Sequence, residues 1–140
     1  MVNFWNLVNN VIRKADILLL ILDARMADST RNIEIEDKVK EAGKPLIYVM
    51  NKCDLVDKAY MEKYKKSLPN SVFVSAKEHL GTTKLRQLIF INASKLKIKD
   101  IKVGVLGYPN VGKSSIINAL RGKGSAPTSS VSGYTKALQN

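Results

Sequence analysis

The stretch "LGYPNVGKSS", residues 106–115, decides how the rest of the 140-residue chain is read. Gly107, Gly112, Lys113 and Ser114 stand at the spacing Gly-x-x-x-x-Gly-Lys-Ser. Before them, "IKVGVLG" has the β-branched apolar character of an interior strand; after them, "SSIINAL" carries apolar residues at helical spacing. Strand, glycine-rich turn and helix are the context in which this spacing makes a phosphate-binding loop. Backbone N–H groups of Asn110, Val111, Gly112, Lys113, Ser114 and Ser115 are then aimed at phosphate oxygens, helped by the positive end of the helix. Lys113 is the candidate catalytic cation, neutralising β and γ phosphates, and the Ser114 hydroxyl is a candidate Mg²⁺ ligand.

Such a loop ordinarily follows the first strand of its domain. Here about a hundred residues come first, and their pattern alternates. A helix is expected over 3–14, where Phe4, Leu7, Val8, Val11 and Ile12 form an apolar stripe with Trp5 packed beside it. A fully buried strand follows at 16–23 around "ILLLIL", then a helix at 32–42, the strand "PLIYVM" at 45–50, a helix at 58–67, the strand "SVFVS" at 71–75 and a helix at 82–96. Strands alternating with helices predict an α/β fold with a mostly parallel sheet covered on both faces. The Gly-, Ser- and Pro-rich run "GKGSAPTSSVS", residues 122–132, reads as a mobile loop.

Two further motifs fall at predicted carboxyl ends of strands, where open parallel sheets bind ligands. In "NKCD", Asn51 to Asp54, an ionised Asp54 can accept from two N–H groups on one edge of a base, which guanine offers and adenine does not. Asn51 can bond the opposite edge or hold the phosphate loop, and the alkyl stem of Lys52 can cover the ring face. In "SAK", Ser75, Ala76 and Lys77, the Ala76 N–H can donate to guanine O6, although the three residues alone carry no signal. Cys53 reads as a small buried hydrophobe and His79 as a loop residue with no partner for metal ligation.

Composition narrows the class. At 45% hydrophobic and 25% charged, the chain has the makeup of one globular domain with room for a core. The apolar run of residues 17–22 falls far below the roughly 20 residues that cross a bilayer, so no membrane partner is expected. A single cysteine and no secretory signal suggest a reducing, cytoplasmic location. The net charge is +11, and residues 91–140 hold eight Lys and Arg against one acidic residue. That half favours polyanions such as RNA, although "KLKIKDIK", residues 95–102, is most simply a helix end and strand start with its lysines outward.

Asn51-Lys52-Cys53-Asp54, Ser75-Ala76-Lys77 and Gly107 to Ser114 are GTPase signature elements in permuted order, base recognition first and phosphate loop last. The chain resembles the circularly permuted GTPases of the YlqF/YawG family, whose members assist ribosome assembly. "DILLLILDAR", residues 16–25, is similar to the family's opening strand with its Asp-Ala-Arg signature, here Asp23, Ala24 and Arg25. The resemblance implies a three-layer P-loop NTPase (Ras-like) fold, GTP and GDP as ligands, Mg²⁺ held by Ser114 and a switch threonine, and a ribosomal subunit or its rRNA as partner.

The chain departs from the family pattern at three places. Met26 and Ala27 replace the usual acidic residue and proline after Arg25, and Ser132 replaces a proline in "SGYTK", where Thr135 is the implied Mg²⁺-binding and catalytic threonine with Thr128 and nearby serines as competitors. No Asp-x-x-Gly occurs in the 140 residues. Residues 1–140 are thus expected to be a single permuted GTPase domain, C-terminally incomplete and lacking the switch-associated edge strands, with weak or no turnover alone. Residues 101–106 would then lie at a sheet edge that is either open to self-association or covered by a C-terminal tail folding back over it. The alternative function is an RNA-binding module with a vestigial nucleotide site, and a second rival is an ATP-dependent P-loop enzyme.

Overall fold

The computed structural model describes residues 4–108, 111–121 and 129–133. Helix α1 (Phe4–Lys14) leads into strand β1 (Ile17–Asp23), a short 3-10 turn (Ala24–Met26), the single-turn α2 (Ala27–Thr30) and α3 (Ile33–Glu41). Strand β2 (Leu46–Asn51) is followed by a second 3-10 turn (Cys53–Leu55), α4 (Lys58–Ser67), β3 (Ser71–Phe73) and α5 (Thr82–Leu96). Then come β4 (Ile101–Gly107), α6 (Lys113–Arg121) and β5 (Ser129–Gly133). Helix starts are set by local chemistry: the Asn32 side chain accepts from Ile35 N at 3.1 Å to open α3, and Asp57 accepts from Tyr60 N at 2.8 Å to open α4.

The five strands lie in the order β3-β2-β1-β4-β5, every neighbouring pair parallel. Every residue of β1 is buried, as its uninterrupted apolar run requires of a strand covered on both faces. Its odd positions, Ile17, Leu19 and Ile21, join α5 and α6 through Leu85, Ile89, Ile116 and Leu120. Its even positions, Leu18, Leu20 and Leu22, join α1 and α3 through Val8, Val11, Ile35 and Val39. Trp5 packs against this second face with the Lys38 ammonium 5.2 Å from its ring centroid. Among the described residues no helix is long and apolar enough to cross a membrane.

Two expectations are corrected here. The strand foreseen at 71–75 ends at Phe73, because the chain turns so that Ser75 and Leu80 exchange hydrogen bonds of 2.9 and 3.0 Å. The loop reading of 122–132 fails over its last residues, since 129–133 form a strand that pairs with β4 from Ile101↔Ser129 to Val105↔Gly133 and covers the edge at 101–106, the second of the two outcomes expected there. Composition favoured a loop, yet a row of free N–H and C=O groups beside buried valines recruits whatever extended segment can reach it. Residues 122–128 lie outside the described residues.

Candidate nucleotide-binding site

The chain passes from β1 outward to β2 and β3, then jumps back across β1 to β4. The reversal leaves a crevice beyond the carboxyl ends of β1, β2 and β4, the place where open α/β sheets bind ligands. Asp23, Asn51 and Gly107 are the last residues of those strands.

The phosphate loop leaves β4 at Gly107, where a Cβ would sit 2.9 Å from Ile21 O, too close for any other residue. Gly112 has φ +95°, and a Cβ there would strike Asn51 Nδ2. Lys113 is buried and folded back on its own loop, Nζ donating to Gly107 O at 2.6 Å and Tyr108 O at 3.0 Å. Burial pushes its ammonium down to about 8. Ser114 and Ser115 are exposed on the first turn of α6. The Tyr108 hydroxyl accepts from Asn32 Nδ2 at 3.0 Å, tethering the loop to the start of α3.

Asn51 is 4% exposed and joins two loops. Its Nδ2 donates to Val111 O at 3.0 Å, and its Oδ1 accepts from Ala76 N at 3.2 Å. Of the two roles open to Asn51 the geometry realises the second, holding the phosphate loop. The same bonds correct the reading of Ala76, whose N–H meets the Asn51 carbonyl rather than facing an empty base position. A buried amide oxygen takes the nearest donor. Ser75 is buried with Oγ accepting from Glu78 N at 3.1 Å, and Lys77 is exposed. Lys52 adopts the left-handed conformation (φ 68°, ψ 33°), and Asp54 is exposed on the 3-10 turn that follows. Cys53 is buried, its N–H donating to Val74 O at 3.0 Å, and burial pushes its thiol up.

The sequence reading assigned no role to Asp23, which proves central. Only 2% exposed, it accepts from Arg25 N at 3.0 Å, Arg25 Nε at 3.1 Å and Arg25 Nη2 at 2.8 Å, and lies 3.2 Å from Lys52 Nζ. The Arg25 guanidinium first, with help from Lys52, holds its carboxyl down to about 2 against the cost of burial. The signal was an aspartate at a strand end with an arginine two residues on. The link to Lys52 depends on the parallel register Asp23↔Asn51, which no local pattern shows. Asn110, Thr135 and Thr128 lie outside the described residues, and His79 is an exposed turn residue. Among the described residues no group of three His, Cys, Asp or Glu is placed to hold a metal. Ser114 on α6 is the hard oxygen donor suited to Mg²⁺ beside phosphate.

A parallel sheet with a phosphate loop after one strand and a base motif joined to it from a neighbour defines a P-loop GTPase domain. Known proteins agree with that class. Residues 1–101 match the family model described as the Elongation factor Tu GTP binding domain, and residues 102–140 the one described as 50S ribosome-binding GTPase. The two meet at the start of β4, where a permuted chain would be joined. An uncharacterized GTP-binding protein of Methanocaldococcus jannaschii is 54% identical over 95% of this chain and 36% of its own. Nucleolar GTP-binding protein 2 of Saccharomyces cerevisiae is 40% identical over 96% of this chain and 29% of its own. The GDP-bound structure of TM YlqF superposes with a TM-score of 0.54 at 25% identity, covering 83% of this chain and 48% of that one. The chain belongs to the circularly permuted GTPases of the YlqF/YawG family. It spans about a third of the length of the curated relatives it matches.

The cytoplasmic expectation is overturned by the yeast relative, whose name places it in the nucleolus. Cysteine usage could not have made the distinction, since nucleus and cytoplasm are both kept reducing.

Proposed function

We propose that this chain is the guanine-nucleotide-binding part of a GTP-hydrolysing, ribosome-assembly protein, taking GDP or GTP in the crevice beyond β1, β2 and β4. The observation that carries the reading is Asn51, which bonds Val111 of the phosphate loop and Ala76 of the third motif at once and so joins three motifs that lie far apart in the sequence. In this reading the loop amides from Asn110 to Ser115 bind phosphate oxygens, Lys113 leaves its two carbonyls for the β and γ phosphates, and Asp54 accepts from the guanine edge. Lys52 covers the ring with its stem, and Ser75, Ala76 and Lys77 line the far side of the base. Ser114 and Thr135 would hold Mg²⁺, which supplies charge neutralisation at the phosphates. The names of the relatives and the description of the matched family support GTP as ligand and the ribosome as setting.

The basic half of the chain supports a second contact, with rRNA, through a salt-dependent and sequence-tolerant affinity. Isolated, the 140 residues should turn GTP over slowly, because they contain no Asp-x-x-Gly to organise Mg²⁺ and the attacking water. Competition of unlabelled GDP and ADP against labelled GDP tests the reading. GDP should displace at far lower concentration, and equal displacement by ADP would remove the base assignment.

A further inference from the structure

The arrangement around Asp23 is more than the base motif requires to fold. A carboxylate that is 2% exposed sits at the end of β1 between two cations whose side chains are 46% (Arg25) and 29% (Lys52) exposed. Buried ionic groups of this kind stabilise a fold poorly, and apolar residues of the same volume usually serve as well or better. The cluster therefore calls for a reason beyond stability. Its location supplies one: the turn Ala24–Met26 packs on the turn Cys53–Leu55, which carries Asp54. Lys52, between β2 and that turn, holds a left-handed conformation that costs a non-glycine residue roughly 1 kcal/mol or more. Its ammonium is tied back to Asp23, and the parallel register sets Asp23 opposite Asn51, the residue just before it. Arg25, fixed to Asp23 by its backbone N–H and two guanidinium nitrogens, also feels the charge of Asp54.

We propose that Asp23 and Arg25 are positioning residues for base binding: they anchor the Lys52 ammonium so that its alkyl stem lies along the ring face beside Asp54. This rests on the guanine-nucleotide reading of the site. Asp23 touches no ligand. It acts through Lys52, and Arg25 acts by fixing the Asp23 carboxylate, whose Oδ2 it shares with the ammonium. The device should act on base binding more than on phosphate binding, because the Asp23 carboxylate and the Arg25 guanidinium are tied to each other and to Lys52 of the base motif.

That difference provides the test. Dissociation constants are measured for GDP, ADP and inorganic pyrophosphate on the 140-residue chain and on Asp23→Asn, Arg25→Gln, Arg25→Lys and Lys52→Met. Asp23→Asn should weaken GDP about tenfold and Arg25→Gln about threefold with pyrophosphate unchanged, Arg25→Lys should recover most of the loss, and in the Lys52→Met background Asp23→Asn should add less than about twofold. If Asp23→Asn does not fold, Arg25→Gln, altered at a half-exposed side chain, carries the test alone. Equal weakening of GDP and pyrophosphate, or no change in GDP, overturns the proposal. If the unsubstituted chain binds GDP and ADP alike, the guanine reading fails by itself, and the ADP-to-pyrophosphate ratio then decides the role of Asp23, since the stem covers either ring. A chain that binds neither nucleotide overturns both.

Discussion

Replacing Asn51 by alanine should separate the two loops that it joins. The side chain is 4% exposed and makes bonds of 3.0 Å to Val111 O and 3.2 Å from Ala76 N. Truncation leaves both backbone groups without their partner, at roughly 1–3 kcal/mol for each buried group. Val111 is buried and should bear most of this cost, whereas Ala76 is half-buried and can turn to water. The expected destabilisation is thus about 2–4 kcal/mol, which for a domain of this size lowers Tm by roughly 10 °C. GDP should lose at least about tenfold in affinity as well, because the loop that binds phosphate and the loop beside the base no longer share a support. Asn51→Asp is the informative companion: it keeps an acceptor for Ala76 N but turns a second acceptor toward Val111 O, and should be at least as destabilising. Urea unfolding read by linear extrapolation, with and without GDP, measures both effects. A change below about 0.5 kcal/mol, with GDP binding intact, would refute the claim that Asn51 couples the motifs.

Gly112→Ala places a Cβ on Asn51 Nδ2 at φ +95°, so it should abolish GDP binding while costing stability on the order of 1–3 kcal/mol; retained affinity by calorimetry would contradict the tight approach. Asp54→Asn exchanges an acceptor for a donor and should weaken GDP by about 2–4 kcal/mol, and a loss under threefold would argue that Asp54 does not read the base. The Lys113 ammonium, lowered to about 8, is charged in both folded and unfolded chains below that pH. Between pH 8 and its ordinary 10.5 the unfolded chain keeps a proton that the folded one has released, so stability should rise across this window while GDP affinity falls; Lys113→Met should flatten both profiles. Asp23 has the opposite sense, its carboxyl lowered from 3.8 to about 2, so its contribution of about 2 kcal/mol is complete above the ordinary value and lost as pH falls from 3.8 to 2. Acid titration of the wild-type chain against Asp23→Asn, followed by circular dichroism, checks that window.

The sequence made the site legible wherever chemistry is local. Gly107, Gly112, Lys113 and Ser114 announce a phosphate loop because strand, turn and helix sit within a few residues of one another, and "ILLLIL" announces a doubly covered strand because no surface strand is apolar at every position. What escaped the reading depends on partners brought together by register or long closure. The Lys52–Asp23 ion pair needs β1 and β2 aligned to the residue, and the Tyr108–Asn32 bond joins groups 76 positions apart. Ala76 was misjudged for the same reason, since its donor is claimed by a side chain 25 residues earlier. Residues 129–133 show the reverse failure: serine and glycine spoke for a loop, and the vacant flank of β4 made a strand.

The permuted order has a consequence for synthesis. β1 is central, with β2 on one side and β4 on the other, yet β2 and β3 lie within the first 73 residues and β4 begins only at residue 101. As the polypeptide leaves the ribosome, the half that carries Asn51, Lys52 and Asp54 can collapse before any phosphate loop exists. Throughout that interval the most apolar strand of the protein has one flank unpaired, and Asn51 holds half of a bridge with nothing to receive it. The nascent chain passes through a stage that is most exposed to mispairing just before it becomes able to bind a nucleotide.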